Sequence, residues 1–232
     1  MSRVRGRARV LHEVSFVARP GRVTGFLGSN GAGKTSTLRV LLGLDRPQAG
    51  RALIDGRRYA ELDRPLTVAG ALLDGSGAHR SRTARAHLRW MALSNGLPRS
   101  RVDEVLEVVG LTAEAGKRAG RFSLGMSRRL GLAAALLGDP PVLILDEPVN
   151  GLDPAGIRWM RAFLRDSAAQ GRTVLLSSHL MGELAETADD VVIIDHGVVV
   201  ADGTLAEVVG DHPTLEDAFL ARTTATAEGP SW

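Results

Sequence analysis

At 232 residues with 44% hydrophobic content, the chain can bury a sizeable core as one large domain or two small ones. It has no cysteine, which excludes a disulfide framework, a thiolate metal site and a cysteine nucleophile. The formal net charge is only +3, and Lys34 and Lys117 are the only lysines, so the arginine-rich cation content reads as coding bias and no nucleic-acid partner is expected.

No apolar run approaches the roughly 18 residues that cross a bilayer, and Met1-Ser2-Arg3-Val4-Arg5 has no apolar core of a signal peptide behind it. The chain is expected to be soluble, with any membrane role coming through a partner. In chain order, residues 10–17 alternate like a strand, and Arg19-Pro20-Gly21 turns into an apolar strand over 23–27. A glycine-rich loop and a helix over 36–42 follow, then short strand-like pieces at 52–55 and 68–73. The pattern changes to helical period over 83–95, 100–109 and 123–137, an all-helical insertion of about 50 residues in an α/β framework.

Alternation of strand and helix then resumes. Residues 142–145 are a continuous apolar run, the mark of a fully buried parallel strand. Asp153-Pro154 opens an amphipathic helix over 154–169, an N-cap followed by proline in the first turn. A strand at 173–177, a helix at 180–187 and a hairpin of 191–194 with 198–201 around His196-Gly197 come next. Short helices at 204–209 and 214–220 close the fold, and residues 221–232 read as a frayed tail. The expected organisation is a single domain, with a core of about 1–75 and 139–220 and a helical subdomain of about 76–138.

The loop Gly28-Ser29-Asn30-Gly31-Ala32-Gly33-Lys34-Thr35 carries the strongest chemical signal. It fits the phosphate-binding pattern of Gly, four residues, Gly, Lys and then Ser or Thr. The glycines let successive N–H groups turn inward onto an anion, where a Cβ would obstruct. Lys34 reaches the β- and γ-phosphates, the Thr35 hydroxyl offers an oxygen to Mg²⁺, and the helix containing Ser36 points its positive end at the phosphates. Downstream, the apolar strand at 142–145 ends in Asp146-Glu147. Asp146 stands where such a fold holds Mg²⁺, and Glu147 can serve as general base or orient the attacking water.

Three further segments give these residues company. Phe122-Ser123-Leu124-Gly125-Met126 opens a helix ahead of Asp146, Gly151-Leu152-Asp153-Pro154 follows it, and Ser178-His179 ends the next strand. In this order the chain resembles the nucleotide-binding subunit of an ATP-binding cassette (ABC) transporter, from about residue 10 to 220. The resemblance implies a phosphate-loop NTPase fold of the ABC-ATPase type, with a mixed β core, a helical subdomain and an antiparallel β portion. It implies ATP and Mg²⁺ as ligands, Glu147 and His179 as catalytic groups, and Asp153 in a loop that communicates across a dimer. Ser123, Leu124, Gly125 and Met126 would form the signature loop that meets a second subunit's nucleotide. The implied partners are a second copy of the chain and a separately encoded permease, which would hold it at the cytoplasmic face of the membrane.

The departures narrow the branch. The family's signature is usually Leu-Ser-Gly-Gly-Gln, and only Ser123 and Gly125 are kept. Phe-Ser-Leu-Gly-Met together with Asn-Gly-Leu-Asp-Pro is similar to the antibiotic and lantibiotic exporters, which include bacitracin-type exporters. Asp74 stands near the family's glutamine loop and becomes a candidate Mg²⁺ ligand with Thr35 and Asp146. Arg5 stands where an aromatic residue usually stacks on adenine, and the usual first strand is nearly absent. A regulatory or nucleic-acid-associated ABC ATPase without a permease is the rival reading. His12, His79, His87, His196 and His212 have no metal-ligand spacing and read as surface or turn residues, whereas Trp90 and Met91 read as core.

Overall fold

The structure is a computed structural model that describes residues 1–5, 8–73 and 76–227, with side chains over 1–3, 10–73 and 76–223. In chain order the elements are β1 (Arg3–Arg5), β2 (Ala8–Leu11), β3 (Val23–Leu27), α1 (Lys34–Leu41), β4 (Ala69–Leu72), α2 (Ala84–Ser94), α3 (Ser100–Val108) and α4 (Leu124–Leu136). They continue as β5 (Val142–Asp146), α5 (Pro154–Ala169), β6 (Thr173–Ser178), α6 (Met181–Ala185), β7 (Asp190–Asp195), β8 (Val198–Thr204), α7 (Leu205–Val209) and α8 (Leu215–Ala227). Two compact units result, one of residues 1–61 with 164–232 and one of 62–163.

In the first unit the strands run in the order β6-β3-β7-β8, with β6, β3 and β7 parallel and β8 antiparallel to β7. β3 and β7 are buried along their whole length, including Thr24 within β3 and Asp190 and Asp195 at the two ends of the apolar run of β7. One end of this sheet is fixed by charge. The Arg22 guanidinium donates from Nε and from its terminal nitrogen to both oxygens of the buried Asp190 at 2.7 Å, and Val23 N–H donates to Asp189 Oδ2 at 2.7 Å. Those hydrogen bonds from Arg22 hold the Asp190 carboxyl below its usual range, against the opposing effect of burial. β1 and β2 form a separate antiparallel pair.

The second unit holds the parallel pair β4-β5 and the helices α2, α3 and α4. Thr83 and Ser123 cap α2 and α4, their hydroxyls accepting from Ala86 and Met126 N–H. Leu88, Val105, Leu106, Leu130 and Leu132 are completely or almost completely buried. α5, whose two halves belong to different units, buries Met160, Leu164 and Ala168 at i, i+4 spacing.

Several expectations are corrected. The strand expected at 10–17 stops at Leu11; the Met1 amino group instead donates to Val14 O at 2.7 Å, Val14 N–H donates back to Met1 O, and Glu13 turns at φ 52°. The piece at 52–55 reduces to one bridge between Ile54 and Arg57. A first strand exists as β1, and α8 runs on to Ala227 where a frayed tail was expected from 221. His87 is buried at 3% exposure, whereas Trp90 is 53% exposed under the Arg82 guanidinium, 4.7 Å from the ring centre.

Candidate nucleotide-binding site

In the first unit, parallel pairing sets Leu27 opposite Ser178 on β6 and Ile193 on β7. Gly28 and His179, each one residue further on, therefore leave neighbouring strands at the same edge, the carboxyl edge where α/β sheets bind ligands. The loop is tightly packed at its two ends, Gly28 and Gly33, while Ser29, Asn30 and Gly31 between them are exposed. A Cβ at Gly28 would stand 2.5 Å from Ile194 O, and at Gly33 it would stand 2.9 Å from a Leu11 methyl. Gly33 also takes φ 112°, a conformation that side chains oppose. Gly33 caps α1 without a side-chain hydrogen bond, so an outside anion can face the helix's positive end.

Lys34 is 6% exposed, and its Nζ donates to Gly28 O at 2.7 Å and Ser29 O at 3.2 Å. The ammonium is thus held across the mouth of its own loop. Thr37 Oγ1 donates to Gly33 O at 3.0 Å and Gly197 N–H to Ala32 O at 2.9 Å, which braces the loop from both sides. Helix α1 begins at Lys34, two residues before the expected start, so Lys34, Thr35 and Ser36 all lie in its first turn.

In the second unit, β5 ends at Asp146, 7% exposed, and Glu147 follows at φ 50°. A left-handed backbone at a non-glycine residue costs on the order of 1–2 kcal/mol, and such strain collects at functional positions. Here it aims the chain away from the strand immediately after Asp146. Asn150 N–H donates to Glu147 O and Leu152 N–H to Val149 O, both at 3.2 Å, forming a tight turn that ends at Asp153. Asp153 Oδ1 accepts from Gly156 N–H at 2.7 Å and so caps α5. Leu72 pairs with Leu145, which sets Leu73 beside Asp146.

The loop of Ser123 opens α4 in the same unit. Ser123 and Leu124 are exposed, and Gly125 and Met126 are half-buried. A Cβ at Gly125 would meet only Leu152 Cδ2 at 3.5 Å, an ordinary contact. Leu152 was not singled out from the sequence; its place beside Asp153 in Gly-Leu-Asp-Pro is its one signal. Asp74 and the Arg5 side chain lie outside the described residues. A cavity of about 380 Å³ lined by Arg89, Leu93, Arg99, Ser100 and Asp103 involves none of these loops.

Residues 11–150 match the ABC transporter family. The chain is 40% identical over 215 residues to the bacitracin transport ATP-binding protein BcrA of Bacillus licheniformis, covering 91% of this chain and 69% of that protein. It is 32% identical over 197 residues to the lantibiotic transport ATP-binding protein SrtF of Streptococcus pyogenes, covering 85% of each. A solved structure of an ATP-binding subunit of an ABC transporter superposes with a TM-score of 0.86 at 28% identity, over 96% of both chains. Against an uncharacterized ABC transporter ATP-binding protein of Bacillus subtilis, 40% identical, the chain spans 65% of the relative's length.

Proposed function

The chain belongs to the ABC transporter family and carries its ATPase domain, and on that premise we propose that it powers export of an antibiotic, peptide or other drug-like compound through a separately encoded permease. The observation that supports the ATPase part is the loop of Gly28 to Lys34, packed closely at Gly28 and Gly33 at the start of α1. The export part is supported by the similarity to proteins named for bacitracin and lantibiotic transport. No helix among the described residues is long and apolar enough to cross a membrane.

In this reading Gly28 to Ser36 hold the phosphates, and ATP replaces the Gly28 and Ser29 carbonyls as the partner of Lys34. The Thr35 hydroxyl and the Asp146 carboxylate are hard oxygen donors that suit Mg²⁺, with Asp74 as a further ligand, and the cation would neutralise phosphate charge. Glu147 takes or orients the proton of the attacking water, and His179 faces the γ-phosphate. Two copies form the working unit. Ser123, Leu124, Gly125 and Met126 of one meet the nucleotide held by the other, and Asp153 lies along their boundary. Gly125 supports this arrangement, because among the described residues none stands closer than 3.5 Å to where its side chain would be. Arg5 would lie against the base, and the permease would hold the pair at the cytoplasmic face of the membrane.

The test is to express the chain with the permease encoded beside it in a sensitive host and to measure inhibitory concentrations for bacitracin and a lantibiotic panel. The parent should raise resistance to at least one compound and Glu147→Gln should not. A parent that hydrolyses ATP yet protects against none would overturn the export reading.

A further inference from the structure

Gly25 sits in the middle of β3 with φ outside the left-handed region, so its backbone conformation does not call for glycine. Leu184 does. A Cβ at 25 would fall inside contact distance of Leu184 Cδ1, 2.6 Å from Cδ2 and 2.7 Å from Cγ. Leu184 is 1% exposed, so those methyls are seated on the bare strand with no solvent to swing into. Glycine inside a strand weakens it and marks a close approach of another group to the backbone.

The seat belongs to α6, which has Leu184 as its buried residue and is only five residues long. A helix so short is not held by its own hydrogen bonds, so its place on the sheet depends on contacts such as this one. A single residue, Leu180, separates α6 from His179. Leu180 N–H donates to Ser178 Oγ at 2.9 Å, and Leu184 N–H donates to Leu180 O at 3.1 Å. His179 is thus spanned by the end of β6 on one side and the first turn of α6 on the other. β3 serves both halves of the site: Gly25 pairs with Leu176 of β6, and the same strand runs on into the phosphate loop at Gly28.

We infer that Leu184, seated on Gly25, is a positioning residue that holds His179 at its working distance from the phosphate loop. The inference rests on the reading proposed above, in which His179 faces the γ-phosphate. Seat and loop share one strand, so the gap between imidazole and phosphate is set by packing on β3 as well as by the Ser178 turn. A methyl group at 25 lifts α6 and draws His179 away, whereas a smaller residue at 184 leaves the turn without its outer anchor. Either change slows turnover while the phosphates stay bound.

The experiment measures ATPase rate, binding of a non-hydrolysable ATP analogue and thermal unfolding for the parent, Gly25→Ala, Leu184→Ala, the double variant and His179→Ala. Gly25→Ala should lower kcat about 10–100-fold, the scale of a misplaced catalytic group, with analogue affinity within about 2-fold of the parent. Leu184→Ala should slow turnover about as much. The double variant, whose added methyl refills the space the leucine leaves, should recover to within about 3-fold of the parent. Combined with His179→Ala, Gly25→Ala should slow turnover no further, because both act through one group; a loss of stability alone would not be masked in this way. If Gly25→Ala melts below the assay temperature, the double variant decides: recovery over Leu184→Ala upholds the inference, and none overturns it. Parental kcat in Gly25→Ala, an analogue affinity that falls in step with kcat, or a further loss on top of His179→Ala would overturn the inference alone. Parental turnover in His179→Ala would overturn the reading beneath it, and the inference with it.

Discussion

Gly28 and Gly33 ahead of α1 and Gly125 within α4 look alike in sequence, yet their own subunit asks different things of them. At Gly28 a side chain would drive into a backbone carbonyl, and at Gly33 both φ and the packing of Leu11 forbid one. At Gly125 a methyl group would find ordinary contact distance and no positive φ. The first loop is shaped by intramolecular packing and stands ready for its ligand. At the second, no described residue stands closer than 3.5 Å to the place of a side chain, and in the proposed dimer the need for a bare backbone would come from the partner's nucleotide.

The largest effect that probes this contrast is chemical. Glu147→Gln should keep ATP binding while turnover falls about 10²–10⁴-fold, the usual contribution of a general base. The stalled protein should elute as a dimer with ATP in size-exclusion chromatography. Turnover at the parental rate would remove Glu147 from the site and leave the strained turn unexplained.

Next in size is the charge anchor at the opposite end of β3 from the loop. Arg22→Ala leaves Asp190 buried with Arg19, at 3.5 Å, as its remaining ion-pair partner among the described residues. Because Arg19 remains, the loss should be about 2–3 kcal/mol, short of the 3–5 for a fully broken buried pair. The Asp190 carboxyl is held below its ordinary range, so this stabilisation is complete above the unfolded value of 3.8 and disappears as pH falls through the lower folded value. Denaturant unfolding at pH 7 and at progressively lower pH should show parent and variant converging. Nucleotide affinity of the folded variant should be unchanged.

Smaller still, and aimed at the glycines themselves, are Gly28→Ala and Gly125→Ala. The first should cost about 1–3 kcal/mol, as overpacking against a fixed carbonyl does, and should be visible as a lowered melting temperature. The second should leave stability equal or slightly raised, since alanine is the better helix former by up to about 1 kcal/mol, while its turnover falls. Equal destabilisation by both would erase the distinction between the loops.

The smallest effect belongs to the second unit. His87 is buried, and neither ring nitrogen has a partner at hydrogen-bond geometry among the described residues. Burial first, then the Arg82 charge, push its pKa down, with the Ser76 backbone opposing. The neutral ring's contribution is therefore complete above the unfolded value of 6.5 and is lost as pH drops below it towards the folded value. Melting temperature against pH should fall less steeply below pH 6.5 in His87→Leu than in the parent; identical slopes would show that the ring titrates as though exposed.

How far the sequence reveals all this depends on whether the deciding neighbour is local. β3 and α5 can be read to the residue, because a short, mostly apolar run between Arg22 and Gly28 and an Asp-Pro start carry their own boundaries. Residues 12–17 cannot: their alternation says nothing about a pairing strand, and Met1 binds Val14 in place of a ladder. Trp90 and His87 are misjudged for the same reason. Helical spacing leaves open which face is covered, and Arg82 stacks on the indole in the open while the imidazole turns inward. The phosphate loop is a local motif, so its place between β3 and α1 could be read from the sequence, and the end of β5 at Asp146 follows from the apolar run before it. The contact of Leu184 with Gly25 could not, since it joins residues far apart in the chain through shape alone.

The central claim, that one copy's cradle works with another copy's Ser123 loop, has a direct measurement. Lys34→Ala disables the cradle and Gly125→Glu places a carboxylate where the γ-phosphate should be met, so each variant alone should be inactive. Mixed in equal amounts, they form mixed dimers in which both defects fall in one site and the other site is intact. Half the dimers with one working site of two should restore about a quarter of the parental ATPase rate if the sites act independently, and a smaller but measurable fraction if they are coupled. If the two loops served the same subunit's nucleotide, every site in the mixture would carry a defect. A mixture as inactive as its components would therefore contradict the account.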